Sequence, residues 1–147
     1  MSNNYFILTC RPIETTDGKI KAYDVAKYNI YEQKWPIFEG TRNRRKIKQD
    51  DKFLLYLVGK MYVIGEIVAN DKVIKSRFEY PTDWLVSSFS YCFPIKTFFE
   101  FTNPIRIKPL VQNLSFIPDP NNWGFRLQGG CIRIPMEDYN FIYNSYN

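Results

Sequence analysis

The sequence predicts an α+β fold: one curled β-sheet or barrel of five to six strands, with short flanking helices and a C-terminal helix. With 147 residues the chain has room for one domain with a sizeable core, so residues 1–147 form a single predicted domain. Aromatic residues make up 18% of the chain and favour pleated, half-buried surfaces. The densest apolar stretch, residues 52–68, has the pattern of a β-hairpin.

This predicted hairpin, KFLLYLVGKMYVIGEIV, consists of two apolar arms that meet at Gly59 and Lys60. Glycine allows the positive φ that a tight turn requires. At least one arm is apolar enough to be covered on both faces. We therefore interpret the hairpin as scaffold and expect the functional residues on its two flanks.

Three segments precede the hairpin. Residues 5–9 (YFILT) form a nearly continuous apolar run, which predicts a central strand. Residues 13–19 contain Thr, Asp and Gly in an order typical of turns. Apolar residues in the segment 20–31 keep loosely to helical spacing, which predicts one modest helix there.

After the hairpin, residues 69–91 show little periodicity and are interpreted as a long loop, a feature that is more often functional than idle. Residues 93–101 (FPIKTFFEF) predict a strand. Asn-Pro at 103–104 predicts a turn, which separates that strand from a short one at 105–108. Residues 131–134 predict the last strand, and proline followed by acidic residues predicts the start of the terminal helix.

The charge of the chain is +5 with a pI near 9.1, which fits an anionic partner. Five of the seven residues at 42–48 are cationic. A run of this kind is usually a solvated surface. The nearby Trp35 favours a second interpretation, because a cation beside a planar ring can hold a phosphate backbone and stack a base.

The chain contains no histidine, so it has no histidine-based acid–base pair or metal site. Its three cysteines are far apart and form no CxxC motif, which argues against a disulfide framework and a zinc knot. We expect no metal, no cofactor, and buried thiols in a reducing cytoplasm. The N-terminus lacks the pattern of a signal peptide and no apolar run reaches the length of a membrane span, so we expect no membrane association.

Trp84 lies in the loop at 69–91, near Phe78 and Tyr80. Two interpretations have similar weight. The indole ring packs the loop onto the sheet, since tryptophan usually buries most of its surface, or it forms the wall of a pocket.

The order of these segments resembles that of the EVE domain, a PUA-like relative of the YTH domain. The resemblance covers most of the chain. It rests on YFILT, the tryptophan and basic segment before QDDKFLLYL, the strand MYVIGEIV, the strand FPIKTFFEF, the segment IKPLVQNLSFI and the final WGFRLQGGCIRIPMEDYNFI. The sequence differs from the family at Asp50 and Asp51, where the family has a glycine before the hairpin.

The resemblance implies a PUA-like barrel whose mouth holds a base between aromatic side chains. In the YTH relatives two tryptophans frame a methylated adenine, and Trp35 and Trp84 match their positions. Trp123 and Tyr31 are assigned to the same base-binding pocket. The residues predicted to contact the nucleic-acid backbone are basic, namely Arg11, Arg42, Arg44, Arg45, Lys46, Lys48, Arg77 and Arg126.

The leading hypothesis is a non-catalytic module that reads a modified, flipped-out base in DNA or RNA. We expect the module to be a monomer in isolation. It could also serve as the specificity domain of a modification-dependent restriction system that has a fused or associated NTPase or nuclease. The alternative is a PUA-like enzyme of the ASCH type, or an RNA-binding protein, that acts on RNA or a nucleoside-like ligand. Its catalyst would have to come from Lys52, Glu66, Asp83 or Glu100. A protein-interaction module with an incidental basic face is the third possibility.

Overall fold

The structure, a computed structural model, describes residues 3–127 and 130–146, without the side chains of residues 122, 125 and 126. Within this part of the chain, no helix is long and apolar enough to cross a membrane. The strands are β1 (Tyr5–Cys10), β2 (Ile13–Thr15), β3 (Gly18–Ile20), β4 (Lys34–Ile37), β5 (Lys52–Leu57), β6 (Tyr62–Ala69), β7 (Ile74–Phe78), β8 (Phe89–Arg106) and β9 (Cys131–Ile134). The α-helices are α1 (Ala22–Tyr31), α2 (Trp123–Arg126) and α3 (Met136–Asn144).

Seven of the described strands form one curled, mixed sheet in the order β4-β8-β6-β5-β1-β9, with β7 also paired to β8. The β1–β5 pair is parallel, and the other pairs are antiparallel. The small β2–β3 hairpin is a separate sheet. The predicted α+β fold with a curled sheet is confirmed. The predicted count of five to six strands is too low.

The β5–β6 hairpin and β1 lie at the centre of the sheet, between two apolar cores. Phe53 and Leu55 of β5 face the first core, which α1 covers, while Leu54 and Tyr56 face the second core, which α3 covers. Because both faces are buried, the strand has no polar alternation. The predictions of a hairpin at 52–68 and of a central first strand are confirmed.

Two predictions after the hairpin are wrong. The segment from residue 93 to residue 108 does not contain two strands separated by a turn, because β8 runs unbroken through Pro104. The β6–β8 register shifts between Glu100 and Ile105, so Pro104 lies in an irregularity where β8 has no ladder partner among the described strands, and proline is tolerated there. The predicted loop at 69–91 contains strand β7, whose residues alternate between exposed and more buried positions.

Strands β6 and β8 approach each other closely at Gly65. A Cβ atom at this position would overlap the carbonyl oxygen of Phe99 and would lie 3.1 Å from the Cα atom of Glu100. Both of these are backbone atoms, so they cannot move aside as a flexible side chain would. The β6–β8 register shifts next to this glycine.

We expect Gly65→Ala to lower the free energy of unfolding by about 1–3 kcal/mol, because the added methyl group forces the two central strands apart. The matched control is Gly40→Ala, since a Cβ there meets no atom within 4 Å. Urea titration followed by circular dichroism measures both variants. Equal stability of the two variants would show that the β6–β8 pair is not tight at Gly65.

Candidate functional site

A cavity of about 280 Å³ lies where the curled sheet does not close, between β1 and β4. Strand β4 pairs with β8 and not with β1 in the described sheet, so the curl brings these two strands near each other without hydrogen bonds between them. Helix α1 and the segment between β7 and β8 form the other walls. Its size is near the lower end of small-molecule sites and suits one planar ring system.

Trp35 of β4 forms one wall of this cavity. Its side chain is only 5% exposed and belongs to the first core, so its position is fixed by packing. Pro36 follows it, which favours the extended backbone that β4 adopts, and its register partner in β8 is Phe93. Of the predicted pocket residues, Trp35 is the one that the structure places in this cavity.

Tyr80 forms a second aromatic wall. Its hydroxyl donates a hydrogen bond of 2.7 Å to Oδ1 of Asn29 in α1, and its ring stacks on Trp84 with 5.1 Å between the ring centres. Burial raises the pKa of Tyr80 well above its usual value, so the phenol stays protonated and can donate. Phe89, which also lines the cavity, meets Tyr80 edge to face.

Trp84 does not line this cavity and lies behind Tyr80. Its ring packs against Tyr80 and Tyr28, and its backbone bridges Thr15 in β2. The following amide of Leu85 donates to the same hairpin. The structure therefore does not bring Trp84 and Trp35 together in the lining of this cavity, and the role of Trp84 in binding stays a prediction. The interpretation that it packs the loop onto the domain agrees with its position.

Trp123 and Tyr31 are also separate from the cavity. Trp123 lines a second cavity of about 360 Å³ beside the tip of the β5–β6 hairpin, together with Tyr56 and Met61. Tyr31 is the last residue of α1 and is 84% exposed. The structure does not bring these two residues into the cavity that Trp35 lines, and their role in binding a base stays a prediction.

The predicted basic residues before the hairpin divide into two groups. Arg44 and Lys48 have structural partners. Arg44 donates to the carbonyl oxygen of Glu39 and lies 5.2 Å from the centre of the Tyr91 ring, while Lys48 forms an ion pair with a buried aspartate. The others are exposed and begin immediately after Thr41, which lines the cavity, and they are Arg42, Arg45 and Lys46.

Three further basic residues were predicted from the sequence. Arg11, at the end of β1, is exposed and lines both cavities. Arg77 of β7 is exposed and pairs with Glu79. The side chain of Arg126 lies outside the described part of the structure. Of the predicted basic residues, the structure thus places Arg11 in the lining of the cavity between β1 and β4, and Thr41, the residue before the basic segment, also lines it.

Two carboxylates considered for catalysis lie on opposite faces of the sheet. Glu66 accepts a hydrogen bond of 2.6 Å from Tyr139 of α3. Glu100 accepts one of 2.7 Å from Tyr23 of α1 and pairs with Lys27, and the bond from Tyr23 holds its pKa below the usual value. They therefore cannot act together as an acid–base pair.

Comparison with solved structures gives the same fold for several proteins. The chain is similar to protein Atu2648 from Agrobacterium tumefaciens, with a TM-score of 0.64 and 14% identity over 98% of this chain and 93% of that one. It is similar to the YTH domain of Zygosaccharomyces rouxii MRB1 in complex with N6-methyladenosine RNA, with a TM-score of 0.64 and 12% identity over 99% and 87%. Human THYN1 in complex with 5-methylcytosine containing DNA gives a TM-score of 0.65 and 10% identity over 99% and 98%.

The chain has a PUA-like fold shared with YTH domains. No protein-family model and no curated protein sequence matches it. Identities of 10–14% to these three structures establish the fold and not the ligand. Membership of the EVE family stays a prediction from the order of the sequence motifs.

Proposed function

We propose that this chain is a non-catalytic nucleic-acid-binding domain that takes a methylated base, turned out of its stack, into the cavity between β1 and β4. The observation that carries the proposal is the cavity itself, which has Trp35 and Tyr80 in its walls. It occurs in a fold whose solved examples include complexes with methylated RNA and methylated DNA.

The physical chemistry of the cavity suits such a ligand. Turning a base out of its stack costs a few kcal/mol, and contact with aromatic rings in the cavity offsets this cost. A methyl group adds apolar area, and its burial contributes about 0.8 kcal/mol, or about fourfold in affinity. The exposed Arg42, Arg45 and Lys46 would contact phosphates, which adds affinity without base specificity.

The direct test measures binding of short single-stranded DNA and RNA in pairs that differ by one methyl group, with N6-methyladenine and 5-methylcytosine as the first two modifications. We expect at least one methylated oligonucleotide to bind about fourfold tighter than its unmethylated twin. Equal binding of both members of every pair would disprove recognition of these two modifications. A complete lack of binding at low salt would favour a protein-interaction module instead.

We expect Arg45→Ala to weaken the methylated and unmethylated oligonucleotides by the same factor and to reduce the salt dependence of binding by about one unit. The matched control is Lys108→Ala, which removes one positive charge from an exposed residue outside the basic segment at 42–48. Fluorescence anisotropy at several salt concentrations measures both variants. A change in the methyl preference of Arg45→Ala would place this arginine at the base and not at the backbone.

The wider setting stays a prediction. A fused or associated NTPase or nuclease would make this domain the specificity module of a modification-dependent restriction system. The enzymatic alternative stays open for Lys52 and Asp83, whereas Glu66 and Glu100 face opposite sides of the sheet and do not form a pair.

A further inference from the structure

Asn29 is a polar residue in the wall of the cavity that the sequence did not single out. It lies on α1 and is 1% exposed, so it is almost completely buried. The hydroxyl of Tyr80 donates to its Oδ1 atom, which fixes the orientation of the side-chain amide. The opposite end of the amide, Nδ2, carries two N–H donors.

The two N–H donors of Nδ2 are available to a ligand. Asn29 makes no hydrogen bond through Nδ2 to a described residue. In the described structure, every side-chain nitrogen or oxygen without accessible surface has a hydrogen-bond partner, so Nδ2 must retain some accessible surface. The position of Asn29 in the lining assigns that small accessible area to the cavity. A group that enters must offer a hydrogen-bond acceptor here, because burial against an unpaired donor is unfavourable.

The charge in the described lining of the cavity has one sign. Arg11 is the charged residue in the described lining, and neither aspartate nor glutamate lies there. Aromatic walls such as Trp35 and Tyr80 attract cations on their own. A cationic base, however, would lose its hydrating water beside the N–H donors of Asn29 and the positive charge of Arg11. No carboxylate in the described lining would compensate for this loss of hydration.

We propose that the cavity selects neutral methylated bases that present a hydrogen-bond acceptor to Asn29, and rejects bases that carry a positive charge from methylation of a ring nitrogen. This inference rests on the proposed function and narrows its ligand class. N6-methyladenine and 5-methylcytosine belong to the accepted class. The rejected class contains 1-methyladenine and 7-methylguanine.

The test compares single-stranded oligonucleotides that carry one of these four bases at the same position, so that pairing does not influence access to the base. We expect the wild-type protein to bind the better neutral base about tenfold tighter than either cationic base. Asn29→Asp keeps the size of the side chain and can still accept from Tyr80, but it removes both donors and adds a negative charge. We expect this variant to bind the neutral base about tenfold more weakly and to lose the preference over the cationic bases.

The matched control is Asn140→Asp, which makes the same chemical change at an exposed position of α3. Thermal unfolding by circular dichroism checks that both variants are folded. If Asn29→Asp does not fold, Tyr80→Phe provides the second measurement, because it removes the hydroxyl that orients the amide and should reduce the preference for the neutral base.

Three outcomes are distinct. Equal or tighter binding of a cationic base by the wild-type protein would overturn the proposed selectivity. An unchanged preference in folded Asn29→Asp, matching that of the Asn140→Asp control, would overturn the role of Asn29. If the wild-type protein binds none of the oligonucleotides, modified or unmodified, the proposed function itself fails and this inference fails with it.

Discussion

Replacing Trp35 with alanine is expected to lower the free energy of unfolding by about 3–5 kcal/mol and to abolish the preference for a methylated base. The indole has two roles that one substitution removes. It is 5% exposed in the first core, where its loss leaves a large void, and it forms a wall of the cavity. Urea titration measures the first effect, and paired binding of methylated and unmethylated oligonucleotides measures the second.

The control for this experiment is Phe53→Ala. Phe53 is fully buried in the same core and stacks on Phe93, the register partner of Trp35, but it does not line the cavity. We expect a similar loss of stability with the methyl preference intact in the folded fraction. If folded Trp35→Ala retains the preference, the base does not bind against this indole, and the cavity between β1 and β4 is not the site.

The centre of the fold could be predicted from the sequence because its burial leaves a strong local pattern. Residues of β5 face two cores in alternation, so every position after Lys52 is apolar and buried. The short β7 carries a weaker signal, since Lys75 and Arg77 are exposed and only Phe78 is buried. Five residues of this kind do not stand out from a loop.

The residues of the site could be predicted only in part, because contacts between segments that are distant in sequence determine which side chains line the cavity. Trp35 is placed by its own strand, and its closeness in sequence to the basic segment was enough to single it out. The position of Trp84 depends on β2, whose Thr15 it bridges, and the sequence had predicted only a turn at residues 13–19. With Trp84 held there, Tyr80 reaches the cavity and contacts Asn29. No local sequence pattern indicates that an asparagine on a helix accepts a hydrogen bond from a tyrosine 51 residues away.

Asp51 is the most strongly bonded buried carboxylate described, and it joins the start of β1 to the end of the basic segment. It is fully buried. The backbone N–H and side-chain amide of Asn4 donate to it at 2.8 and 3.2 Å, and the backbone N–H and ammonium group of Lys48 donate to it at 2.9 Å each. The preceding Asp50 has a φ of 70°, the left-handed conformation that glycine adopts readily and that aspartate tolerates. The two residues that stand where the EVE family has glycine therefore build this turn in a different way.

We expect Asp51→Asn to lower the free energy of unfolding by about 2–4 kcal/mol. The amide has one acceptor oxygen and no charge, whereas each hydrogen bond to a charged carboxylate contributes about 1.5–3 kcal/mol. The matched control is Asp50→Asn. Its carboxylate pairs with Lys96 at 2.9 Å with both side chains about half exposed, and such a pair contributes about 0–1 kcal/mol. Both variants remove one negative charge, and the two sites differ in the burial and hydrogen bonding of the carboxylate, so urea titration measures what the buried, bonded site adds. Equal losses would mean that the bonds around Asp51 contribute no more than a surface ion pair, and that the basic segment is anchored to β1 by other contacts.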